Sequence, residues 1–188
     1  NADVRPEWLV QFGVMGSIYA ERVLGISTPR VGLLSNGEED TKGSAVVQEA
    51  HGLLRETFLN FVGNVEGKDI TRGKADVIVS DGFAGNVAIK TAEGTASMIL
   101  TLLKREIKAR PLASFGALLA KPAFRKASAI LDYREYGGGP LLGVDGVVII
   151  AHGRSDALAM ENAVRVAIET AERNVVDTIR DQIAGSGS

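Results

Sequence analysis

The 188-residue sequence contains no cysteine. That absence excludes disulfides, thiolate metal ligands and thiol nucleophiles together, and it fits a reducing compartment. Histidine is nearly as scarce. Only His51 and His152 are present, so no ordinary zinc cluster can form and no metal is implied. Charge of one sign is also lacking: the formal net charge is -2, and no chain-wide basic field draws the protein to nucleic acid. No apolar run approaches the ~20 residues that span a bilayer, and no signal-peptide pattern opens the chain. A soluble, cytoplasmic protein is therefore expected. Hydrophobic residues make up 45% and charged residues 23%, which are globular proportions. A chain of this length buries on the order of 70% of its unfolded surface, so its core needs no disulfides.

Three segments share one grammar: a short β-branched apolar run, a glycine-containing polar loop, then a helical pattern. The first is Arg30–Ser35, followed by Asn36–Gly43 and a helix from Ser44 to Glu56. The second is Ala75–Ser80, followed by Asp81–Asn86 and a long helix. The third is Gly146–Ala151, followed by His152–Ser155 and a helix from Asp156 to Ala184. Apolar strands alternating with helices predict an α/β fold with a doubly wound, mostly parallel sheet. A smaller run, Leu59–Gly63, adds a strand, and an opening helix is expected from Pro6 to Leu24, ended by Gly25. The tail Gly185–Ser188 reads as flexible linker and stands outside the fold, which occupies residues 1–184.

In a parallel α/β sheet, ligands bind beyond the carboxyl ends of the strands, where loops open onto helix amino termini. Unpaired N–H groups and partial positive charge suit those termini to anions. Lys42 adds a full charge in the first loop and Arg154 a bidentate fork in the third, which together describe a phosphate or carboxylate site. The alternative is that such loops are simply turns. Gly37-x4-Lys42-Gly43-Ser44 has its lysine and glycine reversed relative to a P-loop, and Gly137-x-Gly139 is not completed into a dinucleotide fingerprint. No G-x-S-x-G elbow is present, so no nucleophilic serine is indicated. His51 falls within a helix and reads as structural, whereas His152 at a strand end is open to either role. Glu38-Glu39-Asp40 is either a solvated loop or a divalent-cation site. Asn86 is either an N-cap or a neutral donor to an oxyanion, and Asp81 either a base or a loop anchor.

Five segments, taken in order, resemble a known family. They are Arg30–Gly43, Phe61–Ile70, Asp76–Val87, Gly137–Val144 and Val148–Ser155. They are similar to motifs of the phosphate acyltransferases of bacterial phospholipid synthesis (acyl-ACP:phosphate transacylases, PlsX family), and the match covers nearly the whole chain. The resemblance implies a fold like the isocitrate and isopropylmalate dehydrogenases and phosphotransacetylases. It implies a reaction in which inorganic phosphate attacks the thioester of acyl-ACP, giving acyl phosphate without a cofactor. By motif, Lys42 holds phosphate or the developing oxyanion and Asn86 hydrogen-bonds the reacting group, with Asn36, Gly37, Asp81, Gly82, His152 and Arg154 completing the pocket. Gly139 stands where the family usually has alanine, and the start at Asn1-Ala2-Asp3 falls inside a family motif, so a fragment or one piece of a cleaved enzyme is expected.

One composition shift remains. Between Lys104 and Lys126 seven bases face one acid, a local charge of +6. Leu112, Phe115, Leu118 and Leu119 lie among them, within a basic amphipathic helical segment at about 97–135 that Pro111 and Pro122 interrupt. Such a segment rests on an anionic membrane surface or packs at a homodimer interface, and the family's peripheral membrane association weighs toward the first. The rival functions are a phosphotransacetylase-like enzyme using acyl-CoA and a non-catalytic module that binds ACP or a membrane surface.

Overall fold

The computed structural model describes residues 1–130 and 137–185. The chain divides into two compact units: Asn1–Asn86 with Pro140–Val148 and the stretch from Ala167 onward, and Val87–Gly139 with Ile149–Val166.

The first unit is built on a parallel sheet of three strands: β1 (Arg30–Leu34), β2 (Asn60–Val65) and β3 (Val77–Val79), in the order β2-β1-β3. Because β1 is central and all strands run the same way, the loops after all three open at one edge. Helix α1 (Pro6–Arg22) has proline in its first turn, as expected, and stops three residues before Gly25. It packs on β3 and on α2 (Ala45–Arg55). Ser44 is the N-cap of α2, its hydroxyl accepting from the Val47 N–H. The core is aliphatic: Leu9 and Ile18 of α1, Val31 and Leu33 of β1, Leu54 of α2 and Val79 of β3 are all buried. Full burial of each such leucine stabilises by about 1.5–3 kcal/mol.

The β1–β2 register slips by one residue: Val31 pairs with Phe61, but Leu33 pairs with Asn64. Gly63, at φ +88°, supplies the extra residue that β1 lacks. The bulge leaves two successive residues, Asn64 and Val65, both buried. The guanidinium of Arg30 at the start of β1 grips the Asp76 carboxylate through two bonds of 2.9 and 2.8 Å, and the Arg30 N–H adds a third. That clasp holds the Asp76 carboxyl down to about 2.

Two helix boundaries differ from expectation. The single helix predicted over 156–184 is two, α6 (Ala157–Glu172) and α7 (Val175–Gly185), separated by Asn174 at φ +52°. Asparagine tolerates the left-handed region that other L-residues avoid, so the helix turns there. Helix α7 then packs against α1, burying Val175 and Ile179. It also includes Gly185, which was expected to begin the linker, while Ser186–Ser188 lie outside the described residues.

The third predicted strand is the larger correction. It shortens to β5 (Ile149–Ile150), which pairs with β4 (Gly139–Pro140) in a separate two-stranded sheet and is not a member of the three-stranded one. Val147, Val148 and Ile150 remain exposed, so the apolar run is not the doubly covered strand that its composition suggested.

Helix α3 (Gly82–Lys108) begins in the first unit and continues into the second, which also holds α4 (Pro111–Leu119) and α5 (Lys121–Ile130). Pro111 and Pro122 both fall in the first turns of their helices, where a missing N–H is harmless. The predicted segment at 97–135 is thus helical through Ile130, and 131–135 lie outside the described residues.

Candidate anion-binding site

The loop after β1 is braced by the side chains of Asn36, Gln48 and Asn64. Asn36 Oδ1 accepts from the Gly43 N–H at 2.9 Å, joining its two ends. Gln48 of α2 donates to the carbonyls of Thr41 and Gly43 at 2.8 and 3.1 Å. From beneath, Asn64 Nδ2 donates to the Glu39 carbonyl at 2.8 Å. Gly43 sits at φ +98°, where a side chain would also strike Val47 Cγ1 at 2.5 Å. Gly37 is buried beneath the Lys42 side chain, whose Cγ lies 2.6 Å from where a Cβ would stand. The Lys42 stem thus lies across Gly37 on a braced backbone, and among the described residues the Lys42 ammonium makes no ion pair.

Asn36, Gly37, Glu38, Glu39 and Lys42 line one wall of an open depression of about 600 Å³. The opposite wall comes from Glu66 and Lys68, in the loop after β2. Sequence reasoning included this loop in the segment Phe61–Ile70 but named no site residue in it. The signal was available, because Leu59–Gly63 read as a strand and a strand beside β1 in a parallel sheet delivers its following loop to the same edge. The single-turn 3₁₀ helix Gly67–Asp69 fixes the backbone of Lys68, with reciprocal bonds between Glu66 and Asp69 at its start.

Carboxylates and ammoniums interleave here. Lys74 and Lys68 both reach Glu38, at 3.1 and 3.5 Å, and Lys68 also pairs with Glu66. Lys74, then Lys68, hold the Glu38 carboxyl below its ordinary value, and the Glu66 hydrogen bond raises Lys68. Glu38, Glu66 and Asp69 have ligand atoms within 4.8 Å of one another, but lysine ammoniums occupy their midst. The run Glu38-Glu39-Asp40 does not converge as a cation site would: Asp40 turns to Arg55 at 2.9 Å and to His51 at 3.3 Å. His51 is buried edge-on to Phe61 with ring centroids 5.1 Å apart, in keeping with a structural role.

The loop after β3 opens at the same edge as the Lys42 loop, since β1 and β3 are parallel neighbours. Asp81 Oδ1 accepts from the Ala84 N–H at 2.7 Å and caps α3, which begins at Gly82. This corrects the reading of Asn86 as the cap: Asn86 lies inside the helix and is exposed, leaving its amide available as a donor. The Gly82 N–H donates to the Asn1 carbonyl at 2.6 Å, and a Cβ there would lie 2.8 Å from that oxygen. Neither Asp81, Gly82 nor Asn86 lines the depression around Lys42. His152 and Arg154 belong to the second unit, where the Arg154 N–H donates to His152 Nδ1 at 3.2 Å. Leu112, Phe115, Leu118 and Leu119, also of that unit, are all exposed.

Comparison with known proteins decides the kinship. The family described as fatty acid synthesis protein matches residues 1–178. The chain belongs to that family. Relatives bearing the name phosphate acyltransferase occur in Heliobacterium modesticaldum, 54% identical over 98% of this chain and 55% of the relative, and in Pelotomaculum thermopropionicum, 51% identical over 97% and 54%. A third, from Halothermothrix orenii, is 51% identical over 100% of this chain and 57% of its own length. The chain thus spans about half the length of the curated relatives it matches. The family and its relatives agree with the resemblance carried by the five segments above. Among the described residues, no helix is long and apolar enough to cross a membrane.

Proposed function

We propose that this chain forms the phosphate-handling part of an acyltransferase that moves a fatty acyl group from acyl-ACP to inorganic phosphate, giving the acyl phosphate used in phospholipid synthesis. The supporting observation is the braced Lys42 loop, whose lysine has no ion-pair partner among the described residues and lines a depression at the carboxyl edge of a parallel sheet, in a chain whose relatives are named phosphate acyltransferase.

In this reading Lys42 positions phosphate, and a phosphate oxygen attacks the thioester carbon. A C–O bond forms, the carbonyl oxygen becomes an oxyanion, and collapse breaks the C–S bond to release the ACP thiolate, which takes up a proton. Asn86 donates its amide to the oxyanion, a neutral contact that strengthens as charge develops. Asn36 keeps the loop closed, and the Gly37 backbone lets Lys42 lie flat; Asp81, Gly82, His152 and Arg154 serve the rest of the pocket. The reading includes the isocitrate/isopropylmalate dehydrogenase-like fold, a cytoplasmic homodimer, and peripheral contact with an anionic membrane through Leu112, Phe115, Leu118 and Leu119, which stand exposed among the bases of α3 to α5.

The test is phosphate-dependent loss of thioester from long-chain acyl-ACP, with acyl-CoA run in parallel, in the longer protein that carries these residues. Lys42→Ala and Asn86→Ala are each expected to lower turnover by about 10²–10³-fold. Retained turnover in both would sink the assignment, and a preference for acyl-CoA would replace the donor. For the membrane, Leu118→Glu is expected to release the protein from anionic liposomes in sedimentation; unchanged binding counts against that contact.

A further inference from the structure

The carboxylates of the depression are the feature that a phosphate site does not obviously need. An ionised carboxylate only accepts hydrogen bonds, so it repels a bare oxyanion but is satisfied by one that carries a proton. Glu38 and Glu66 are already answered by Lys68 and Lys74. Glu39 is not: among the described residues its carboxylate has neither a hydrogen-bond nor an ion-pair partner. Yet Glu39 and Lys42 cross the same glycine, with Glu39 Oε2 2.9 Å and Lys42 Cγ 2.6 Å from where a Cβ of Gly37 would stand. The Glu39 backbone cannot drift, because its carbonyl accepts from buried Asn64 at 2.8 Å and from the Lys42 N–H at 3.0 Å. The Lys42 stem and an unanswered carboxylate thus stand side by side over one glycine, and both residues line the depression.

We propose that Glu39 is a specificity-determining residue, accepting the P–OH of bound phosphate and thereby excluding oxyanions that carry no proton, sulfate above all. The proposal rests on the reading of this depression as the phosphate site. Near neutral pH both prevalent forms of inorganic phosphate keep at least one P–OH, whereas sulfate of similar size and charge keeps none. Sulfate in this site would set a lone pair against the Glu39 carboxylate, which is discrimination by an unfavourable contact. With its proton on Glu39, phosphate turns its charged oxygens toward Lys42, the side from which one of them can attack.

The experiment is calorimetric titration of this chain with inorganic phosphate, arsenate and sulfate at pH 7 and constant ionic strength. Arsenate, which keeps an O–H, is expected to bind within a few-fold of phosphate, and sulfate about 10- to 100-fold more weakly. Glu39→Gln keeps the side-chain length and supplies a donor, so it should raise sulfate affinity and shrink the phosphate-to-sulfate ratio at least about fivefold. Lys42→Ala should weaken all three anions together, and thermal unfolding of each variant checks that the fold is kept. Equal phosphate and sulfate binding in the parent, both lost in Lys42→Ala, would overturn the role of Glu39 while leaving the phosphate site standing. Discrimination that survives Glu39→Gln would overturn it as well. No binding of any anion would remove the site and the proposal together.

Discussion

The two units treat apolar side chains in opposite ways. In the first, α1, α2 and α7 gather around the sheet, and Leu9, Val31, Leu33, Leu54 and Val175 are at most 1% exposed. In the second, α4 has no charged residue in its nine positions, yet Leu112 is 85% exposed and Phe115, Leu118 and Leu119 more than half. A helix that is apolar around most of its circumference requires cover. Exposed apolar residues clustered this densely and flanked by bases are what the proposed membrane contact would use. Apolar composition is thus shared by both units, and what separates them is how far the described residues bury it.

The sharpest way to break this contrast is to cut back a buried leucine in the first unit and an exposed one in the second. Leu54→Ala in the first unit opens a cavity beneath α2 and should cost about 2–5 kcal/mol, read by denaturant unfolding. Gly43→Ala should come next, at about 1–3 kcal/mol, because its φ of +98° strains any side chain and the new Cβ meets Val47. Its loss of anion binding should exceed its loss of stability, since the Lys42 loop bends before the core does. The Arg30–Asp76 clasp should contribute a smaller, pH-dependent amount. The folded carboxyl lies near 2, below its ordinary 3.8, so the contribution is complete above about pH 4 and fades as the pH falls toward 2. Acid titration of unfolding midpoints should show that slope in the parent and a flatter one in Asp76→Asn. Least of all, Leu112→Ser should leave stability within about 0.5 kcal/mol while weakening liposome binding. A large stability loss there would mean that the second unit covers α4 after all.

Legibility from the residues followed the same division. The opening helix, β1, and α2 with its Ser44 start were readable, because each carries its own boundary signal in proline, a capping hydroxyl or a β-branched run, whereas Pro111 and Pro122 read as interruptions of one segment and prove to open α4 and α5. The tight turn around Lys42 was also readable, since its glycines bound a short polar loop between β1 and α2. Less legible was the start of α3, where Asp81 and Asn86 are both capable caps and only the Asp81–Ala84 bond chooses between them. The Gly63 bulge and the break at Asn174 escaped because each is a single residue in the left-handed region, decided by what must pair or pack on either side.

Residue order alone thus gave most element types, the parallel character of the sheet and the glycine-bounded loop that carries Lys42, for these depend on periodicity and on short-range backbone chemistry. Tertiary structure decided that β2 lies beside β1, which brings Glu66 and Lys68 to the same depression as Lys42. It also decided which strong apolar run would be a strand of the main sheet and which would not. Strand order and burial are set by contacts between residues distant in the chain, and no local pattern encodes which partner a strand will meet.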